Sequence, residues 1–177
     1  MAAAPLPRFV TVEEYLHTDY EHDMDYVDGV LEERDLGENS HSNLQTELAV
    51  LFRTHRGEWK VKVFVEQRVQ ITPTRYRVPD LCILPGHWKN TPIVTTAPLL
   101  CIEVLSPEDR LSRTLTKCND YFRLGTPEAW IFDPDQRTAM VLRPDGTMTT
   151  HREDSLTLAG TAIIVPLAEV FAVLDED

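Results

Sequence analysis

Apolar residues in this chain recur at two different spacings, and the switches between them mark out its elements. From residue 40 to 55, Leu44, Leu48, Leu51 and Phe52 fall on one face at helical spacing, with Asn39 or Ser40 placed to cap the start. The next stretch, KVKVFVEQRVQI, alternates Val61, Val63 and Val65 against Lys60, Lys62, Phe64 and Glu66, which predicts one long half-buried strand. Earlier, Thr11 with Glu14 three residues on is a capping box that opens a short helix at residue 12. MDYVDGVLEERD then reads as a hairpin turning at Asp28-Gly29. TPTRYRVP reads as a turn back into PDLCIL, a short strand entered from a proline, and HWKNTPIVTTAP as an exposed loop.

LLCIEVL is the most apolar strand and the natural centre of a sheet. SPED follows it, with Ser106 as N-cap, Pro107 in the first helical position and Glu108 and Asp109 in the first turn. This helix is expected to run to Leu124 and stop at Gly125. AWIFDP is a further strand, residues 138 to 151 a hairpin around RPDGT, and TAIIVPLAEVFAVL a last strand with a short helix. A strand–helix–strand crossover between antiparallel hairpins predicts a mixed sheet flanked by helices, an α/β (α+β mixed) three-layer core. The 177 residues suit a single domain, with its core over about residues 8 to 170.

Composition narrows the classes. The chain is 42% hydrophobic and 26% charged, as globular proteins are, and no apolar run approaches the ~20 residues of a membrane span. MAAAPLPRFV lacks a basic region followed by a long apolar stretch, so a signal peptide is not expected. Cys82, Cys101 and Cys118 have no metal-ligand spacing and read as buried free thiols of a cytoplasmic protein. The net charge of -12 argues against broad nucleic-acid affinity, so any such contact requires a local basic surface. His22, His55, His87 and His151 show no ligand spacing, and Glu13-Glu14, Glu32-Glu33 and the terminal DED read as solvated charge.

Glu103 disturbs this picture, since an ionised carboxylate inside a buried strand needs a partner. Asp80 stands at the mouth of the preceding strand and Lys117 on the helix that follows. Two neighbouring carboxylates call for a cation between them, and oxygen ligands of this kind suit Mg²⁺. With the helix starting after Ser106, a strand rise of roughly 3.3 Å and a helical rise of roughly 1.5 Å per residue set Arg113 level with Glu103 and Lys117 one turn beyond. On that helix Leu111, Leu115, Cys118 and Phe122 form the expected buried face, and Arg110, Arg113, Lys117 and Tyr121 a stripe beside it.

RVPDLCIL, APLLCIEVLSPEDR and KCNDYFRLGTPEAWIFDP together resemble the bacterial Uma-type restriction endonuclease family of the PD-(D/E)xK nuclease superfamily. DYVDGVLEE and HSNLQTEL resemble that family's first hairpin and its His-led first helix. The resemblance implies a restriction-endonuclease-like core: a mixed four-to-five-stranded sheet with a helix on each side. It implies Asp80 and Glu103, with the backbone of Val104, as ligands of Mg²⁺ or Mn²⁺. The superfamily's usual lysine position holds Leu105, which points to Lys117 instead. Asp25 stands where relatives carry Glu, and Val30 where they carry the Glu of DGEL. A third acidic ligand is therefore open among Glu32, Glu47 and Glu66, and His41 is a further cleft candidate.

The activity implied is hydrolysis of DNA phosphodiesters, with Arg77, Arg110, Arg113 and Tyr121 as phosphate contacts and a homodimer or higher homo-oligomer as the assembly. Each residue also has a plain structural reading: Pro79-Asp80 as a strand entry, Glu103 as the partner of an arginine, Lys117 as a solvated helix residue, His41 as a satisfied histidine. Two other functions remain open. One is a weakened or inactive nuclease-fold module that binds or regulates, and the other a hydrolase of RNA or a small phosphodiester.

Overall fold

The computed structural model describes residues 9–20, 23–34, 38–107 and 110–175. The expectations for residues 1 to 8, His22, Glu108, Asp109 and the last two residues lie outside the described residues.

Helix α1 (Val12–His17) is capped by Thr11, whose hydroxyl accepts from the Glu14 amide as the capping box predicts. Strands β1 (Met24–Val27) and β2 (Val30–Glu33) form the expected hairpin. Asp28 and Gly29 both take positive φ, the conformation of a two-residue type I′ turn. Helix α2 (Asn39–Thr54) buries Leu44, Leu48 and Phe52 as its periodicity requires. Its N-cap is Glu38, without a side-chain cap, because Asn39 and Ser40 already lie in the first turn.

Past the short α3 (Arg56–Trp59), the expected long strand is broken. Glu66 adopts a left-handed φ of 52°, which ends β3 (Val61–Val65) and sends β4 (Val69–Thr72) into another sheet. Alternation alone carries no sign of this break, since the apolar period resumes at Val69. TPTRYRVP is more than a turn: Arg75–Arg77 forms β5, paired with both β4 and β1. Strands β6 (Leu81–Pro85) and β7 (Leu100–Val104) follow, then helix α4 (Leu111–Leu124). The remaining elements are β8 (Ala129–Asp133), β9 (Thr138–Leu142), β10 (Met148–His151), β11 (Ser155–Thr157), β12 (Ile164–Pro166) and α5 (Leu167–Ala172).

The central sheet is mixed and has six strands, in the order β10-β9-β8-β7-β6-β3. Its one parallel pair, β7 with β8, is the pair joined by the α4 crossover. A four-stranded antiparallel sheet, β2-β1-β5-β4, adjoins it. Because side chains alternate along a strand, β7 has two inner faces. Leu100, Ile102 and Val104 pack with Leu44, Leu48 and Phe52 of α2 and with Val170 and Phe171 of α5. Cys101 packs with Cys118 and Tyr121 of α4 on the opposite side, and Glu103 shares that side. The three free cysteines are all buried.

Helix α4 departs from expectation in two ways. It starts at Leu111 with Arg110 as N-cap, not at Pro107. The Leu105 amide still pairs with the Phe132 carbonyl, so the strand ladder runs on and the chain then needs several residues to turn. Its buried face also holds Thr114, Lys117, Cys118, Asp120 and Tyr121, while Leu111 is exposed and Leu115 and Phe122 are only half-buried. Of the stripe expected beside the core, Lys117 and Tyr121 lie within it, where their polar groups find partners, while Arg113 is half-buried and Arg110 exposed. Gly125, at φ 108°, ends the helix as its sequence position predicts.

Candidate active site

Strands β6 and β7 pair antiparallel with Leu81 opposite Ile102. One step further along, that register sets Asp80 against Glu103. The Val104 amide donates to Asp80 Oδ2 at 2.7 Å, tying the Asp80 side chain to the end of β7. Asp80 is 2% exposed and Glu103 4% exposed, so both carboxylates depend on the protein for their solvation.

Glu103 receives two donors from α4. Lys117 Nζ stands 2.6 Å from Oε2, and the Tyr121 hydroxyl donates to Oε1 at 2.5 Å. The late start of α4 explains the reach. Six residues from Leu111 return the helix by about 9 Å, which matches the roughly 10 Å that the strand advances from Glu103 to Ser106. Lys117, not Arg113, is therefore level with Glu103. Lys117 Nζ also donates to the Val78 carbonyl at 3.3 Å and stands 3.9 Å from Asp25 Oδ2.

Burial raises the Glu103 pKa from 4.5 to about 7; the Asp80 charge adds to the rise, and Lys117 and Tyr121 oppose it. Burial alone would lower the pKa of Lys117. The charges of Glu103, Asp25 and Asp80 together outweigh that and hold the ammonium above its ordinary value. Burial and the Glu103 charge push the Tyr121 hydroxyl well up, so it stays a donor. A carboxyl with raised proton affinity beside a firmly charged lysine is a pattern common in catalytic clefts.

On the open side of Asp80 stands Arg34, from the end of β2. Its guanidinium contacts Asp80 Oδ1 and reaches Glu66 Oε1 at 3.3 Å. His41 of α2 brings Nε2 to 3.8 Å from the same Asp80 oxygen, and its buried Nδ1 has no hydrogen-bond partner among the described residues. Asp25, Arg34, His41, Thr114 and Lys117 line one cleft with Asp80, Glu103 and Val104. Sequence reasoning missed Arg34 and Thr114. Arg34 directly follows Glu32-Glu33, a pair that reads as solvated charge, and Thr114 carried no signal.

The other candidates are placed as follows. Arg77, expected as a phosphate contact, is instead buried and held by three carboxylates: Asp25 at 3.0 Å, Glu32 at 2.7 Å and Asp120 at 2.9 Å. Tyr121 likewise points inward to Glu103 and has no free face for phosphate. Arg113 lines the cleft and donates to the Glu33 carbonyl, and Arg110 is exposed at the start of α4. Of the proposed third acids, Glu32 serves Arg77, Glu66 faces Arg34, and Glu47 does not line the cleft. Asp25 does line it, but its oxygens are taken by the Val78 amide and Arg77.

Among the described residues no group of three His, Cys, Asp or Glu side chains is arranged to hold a metal. The hard donors that converge are two carboxylates beside a strand backbone, and an arginine guanidinium rests on one of them where positive charge is called for. That sparse, all-oxygen set fits Mg²⁺, which commonly keeps several waters on one or two carboxylates.

A mixed sheet with carboxylates at the junction of two of its strands, a lysine returning on the crossover helix and a second sheet beside it defines a restriction-endonuclease-like α/β fold. The chain belongs to the Uma2 family, described as "Putative restriction endonuclease", whose model matches residues 12–169. Among solved structures it is similar to a protein from Anabaena variabilis described as a "putative nuclease belonging to DUF820". That likeness has a TM-score of 0.81 at 21% identity and covers 93% of this chain and 99% of the other, so it speaks to the fold. No curated protein matches the chain.

Proposed function

We propose that this chain is a metal-dependent endonuclease that hydrolyses DNA phosphodiesters. The observation that carries the reading is the convergence of Asp80 and Glu103 from β6 and β7 in one cleft, with Lys117 Nζ 2.6 Å from Glu103. Asp80, Glu103 and the Val104 carbonyl would hold Mg²⁺ or Mn²⁺. When bound, such an ion supplies charge neutralisation at phosphate oxygens and acidifies water. The protein's part is to orient and to stabilise charge. The Val104 amide fixes the Asp80 rotamer, and Tyr121 fixes one Glu103 oxygen. Lys117, held charged and buried, stabilises negative charge growing on the phosphoryl group or orients the attacking water. Arg34 and Arg113 line the same cleft and would meet substrate phosphate by exchanging their present partners, Asp80 and the Glu33 carbonyl, for it.

A plasmid-nicking assay with Mg²⁺ or Mn²⁺ tests the reading, with Asp80→Asn and Glu103→Gln as controls. Cleavage that survives both substitutions would remove the assignment. Cutting both strands of a duplex usually takes two active sites, so the same reading expects two-fold assembly in solution.

One observation favours a second reading, a nuclease-fold module without turnover. Arg34 and Lys117 already neutralise the two carboxylates, and Leu105 stands in the usual lysine position. Calorimetry with Mn²⁺ decides: no heat at millimolar metal supports the silent module.

A further inference from the structure

The outer face of α2 and the end of β3 enclose a second groove. Gln45, Thr46, Ala49, Val50, Arg53 and Arg56 line one wall and Val65 the other. Its inner end abuts the candidate active site, because both walls are tied to the main chain of Asp80, whose side chain lines that site. Gln45 Nε2 donates to the Asp80 carbonyl at 3.4 Å, and the amide of Glu66, next to Val65, donates to the same oxygen at 3.2 Å.

Two features say what would lie there. Both walls are apolar and open to solvent there: Val50 is 52% exposed and Val65 47% exposed. The far end is basic: Arg53 and Arg56 are exposed and have no carboxylate within ion-pair distance among the described residues, while the nearby Glu58 faces His55. The Arg56 guanidinium donates to the Arg53 carbonyl at 2.7 Å, which holds the two arginines together. In a chain of net charge -12, two arginines without a carboxylate partner among the described residues form the kind of local basic surface that phosphate binding needs. Eight helical residues separate Gln45 from Arg53, about 12 Å, which is three to four nucleotides at roughly 3.4 Å of rise per strand.

We propose that this groove seats the DNA strand flanking the bond to be cut, with Arg53 and Arg56 on its phosphates and Ala49, Val50 and Val65 against its sugars. The proposal rests on the endonuclease reading and assigns that reading a substrate path. A second copy of the chain is the rival occupant, since β3 is an outer strand of its sheet.

The test is fluorescence anisotropy of a labelled DNA duplex against wild type and the double variant Arg53→Gln/Arg56→Gln, with Ca²⁺ in place of Mg²⁺, over a salt series. The thermal midpoint of each serves as the fold control. The expected result is about a tenfold loss of affinity in the variant and a salt slope shallower by about two, at an unchanged midpoint. Equal affinity and slope in both proteins overturns the groove and leaves the endonuclease reading standing. Wild type that binds no DNA overturns both. A dimer in sedimentation that separates on Val50→Asp gives the groove to a second copy and overturns the proposal.

Discussion

Arg34, the residue after β2 and 46 positions earlier in the chain, lays its guanidinium on Asp80 Oδ1. The pair is an ion pair at the lip of the cleft, with Arg34 15% and Asp80 3% exposed at the side chain. Its consequence is competition. A divalent ion approaching Asp80 and the arginine seek the same oxygen, and part of the ion's binding energy goes into displacing Arg34.

Arg34→Ala is therefore expected to tighten Mn²⁺ binding by about tenfold, which is about 1.4 kcal/mol. The metal-free protein loses stability at the same time, because Asp80 keeps its burial and loses a counter-charge. Calorimetric titration and a thermal melt give both numbers. Weaker Mn²⁺ binding in the variant would show that Arg34 supports the site instead of competing for it.

Glu103 sets a pH dependence. Its pKa is raised by burial from 4.5 to about 7, so the folded protein holds this proton more tightly than the unfolded chain does. Below pH 4.5 both states are protonated and the group is neutral to stability. Between about 4.5 and 7 the unfolded chain ionises first, and stability falls as pH rises, by about 3 kcal/mol in total. The raised Lys117 pKa acts at the other end of the scale, since its contribution is lost only as pH climbs past 10.5. In metal-free protein the difference between wild type and Glu103→Gln is expected to follow this fall, and a flat difference from pH 4.5 to 7 would count against the shift. Ligation needs the carboxylate, so wild-type Mn²⁺ affinity is expected to drop about tenfold per pH unit below 7.

Much of the fold was legible because its local signals agree with its packing. The Thr11 capping box, the Asp28-Gly29 turn, the α2 face and the Gly125 stop each depend on a few neighbouring residues. What failed depended on partners far along the chain. The break at Glu66 follows from the Asp80 carbonyl, which accepts the Glu66 amide, and the extended 75–77 stretch follows from β1. The inward turn of Arg77 needs Asp25, Glu32 and Asp120, none of them within 40 residues. Asp80, Glu103 and Lys117 were legible as a set because a carboxylate in an apolar strand demands a partner. Arg34 was not, since an arginine among acids at a strand end looks solvated.

Removing the lysine tests its role apart from folding. Lys117→Met leaves Glu103 with Tyr121 as its donor, and the carboxyl takes up a proton to a higher pH. Nicking is expected to fall about 10²-fold or more at neutral pH. The Mn²⁺-affinity profile is expected to shift to higher pH than in wild type, and Lys117→Arg to restore part of it. A variant with lost nicking and an unmoved metal profile would make Lys117 a charge stabiliser with no hold on Glu103.

Arg77 carries the last prediction, which separates a buried clamp from a substrate contact. Its guanidinium joins Asp25 of β1, Glu32 of β2 and Asp120 of α4, and Arg75 adds a second bond to Asp120 at 2.9 Å. Asp120 lies one helical turn beyond Lys117, so this network locks the small sheet to the helix that brings the lysine to Glu103. Arg77→Met would leave Asp25, 1% exposed, as a buried charge with Lys117 only at 3.9 Å, and would take one of three arginine partners from Asp120, which keeps Arg75 and Arg123. Losing one partner of such a network costs about 3–5 kcal/mol. In a chain of this size that lowers the thermal midpoint by about 10 °C. A residue that served phosphate would behave in the opposite way, with DNA affinity and its salt slope falling while the midpoint held. Circular-dichroism melts beside anisotropy titrations on the same preparation distinguish the two, and an unchanged midpoint would refute the clamp.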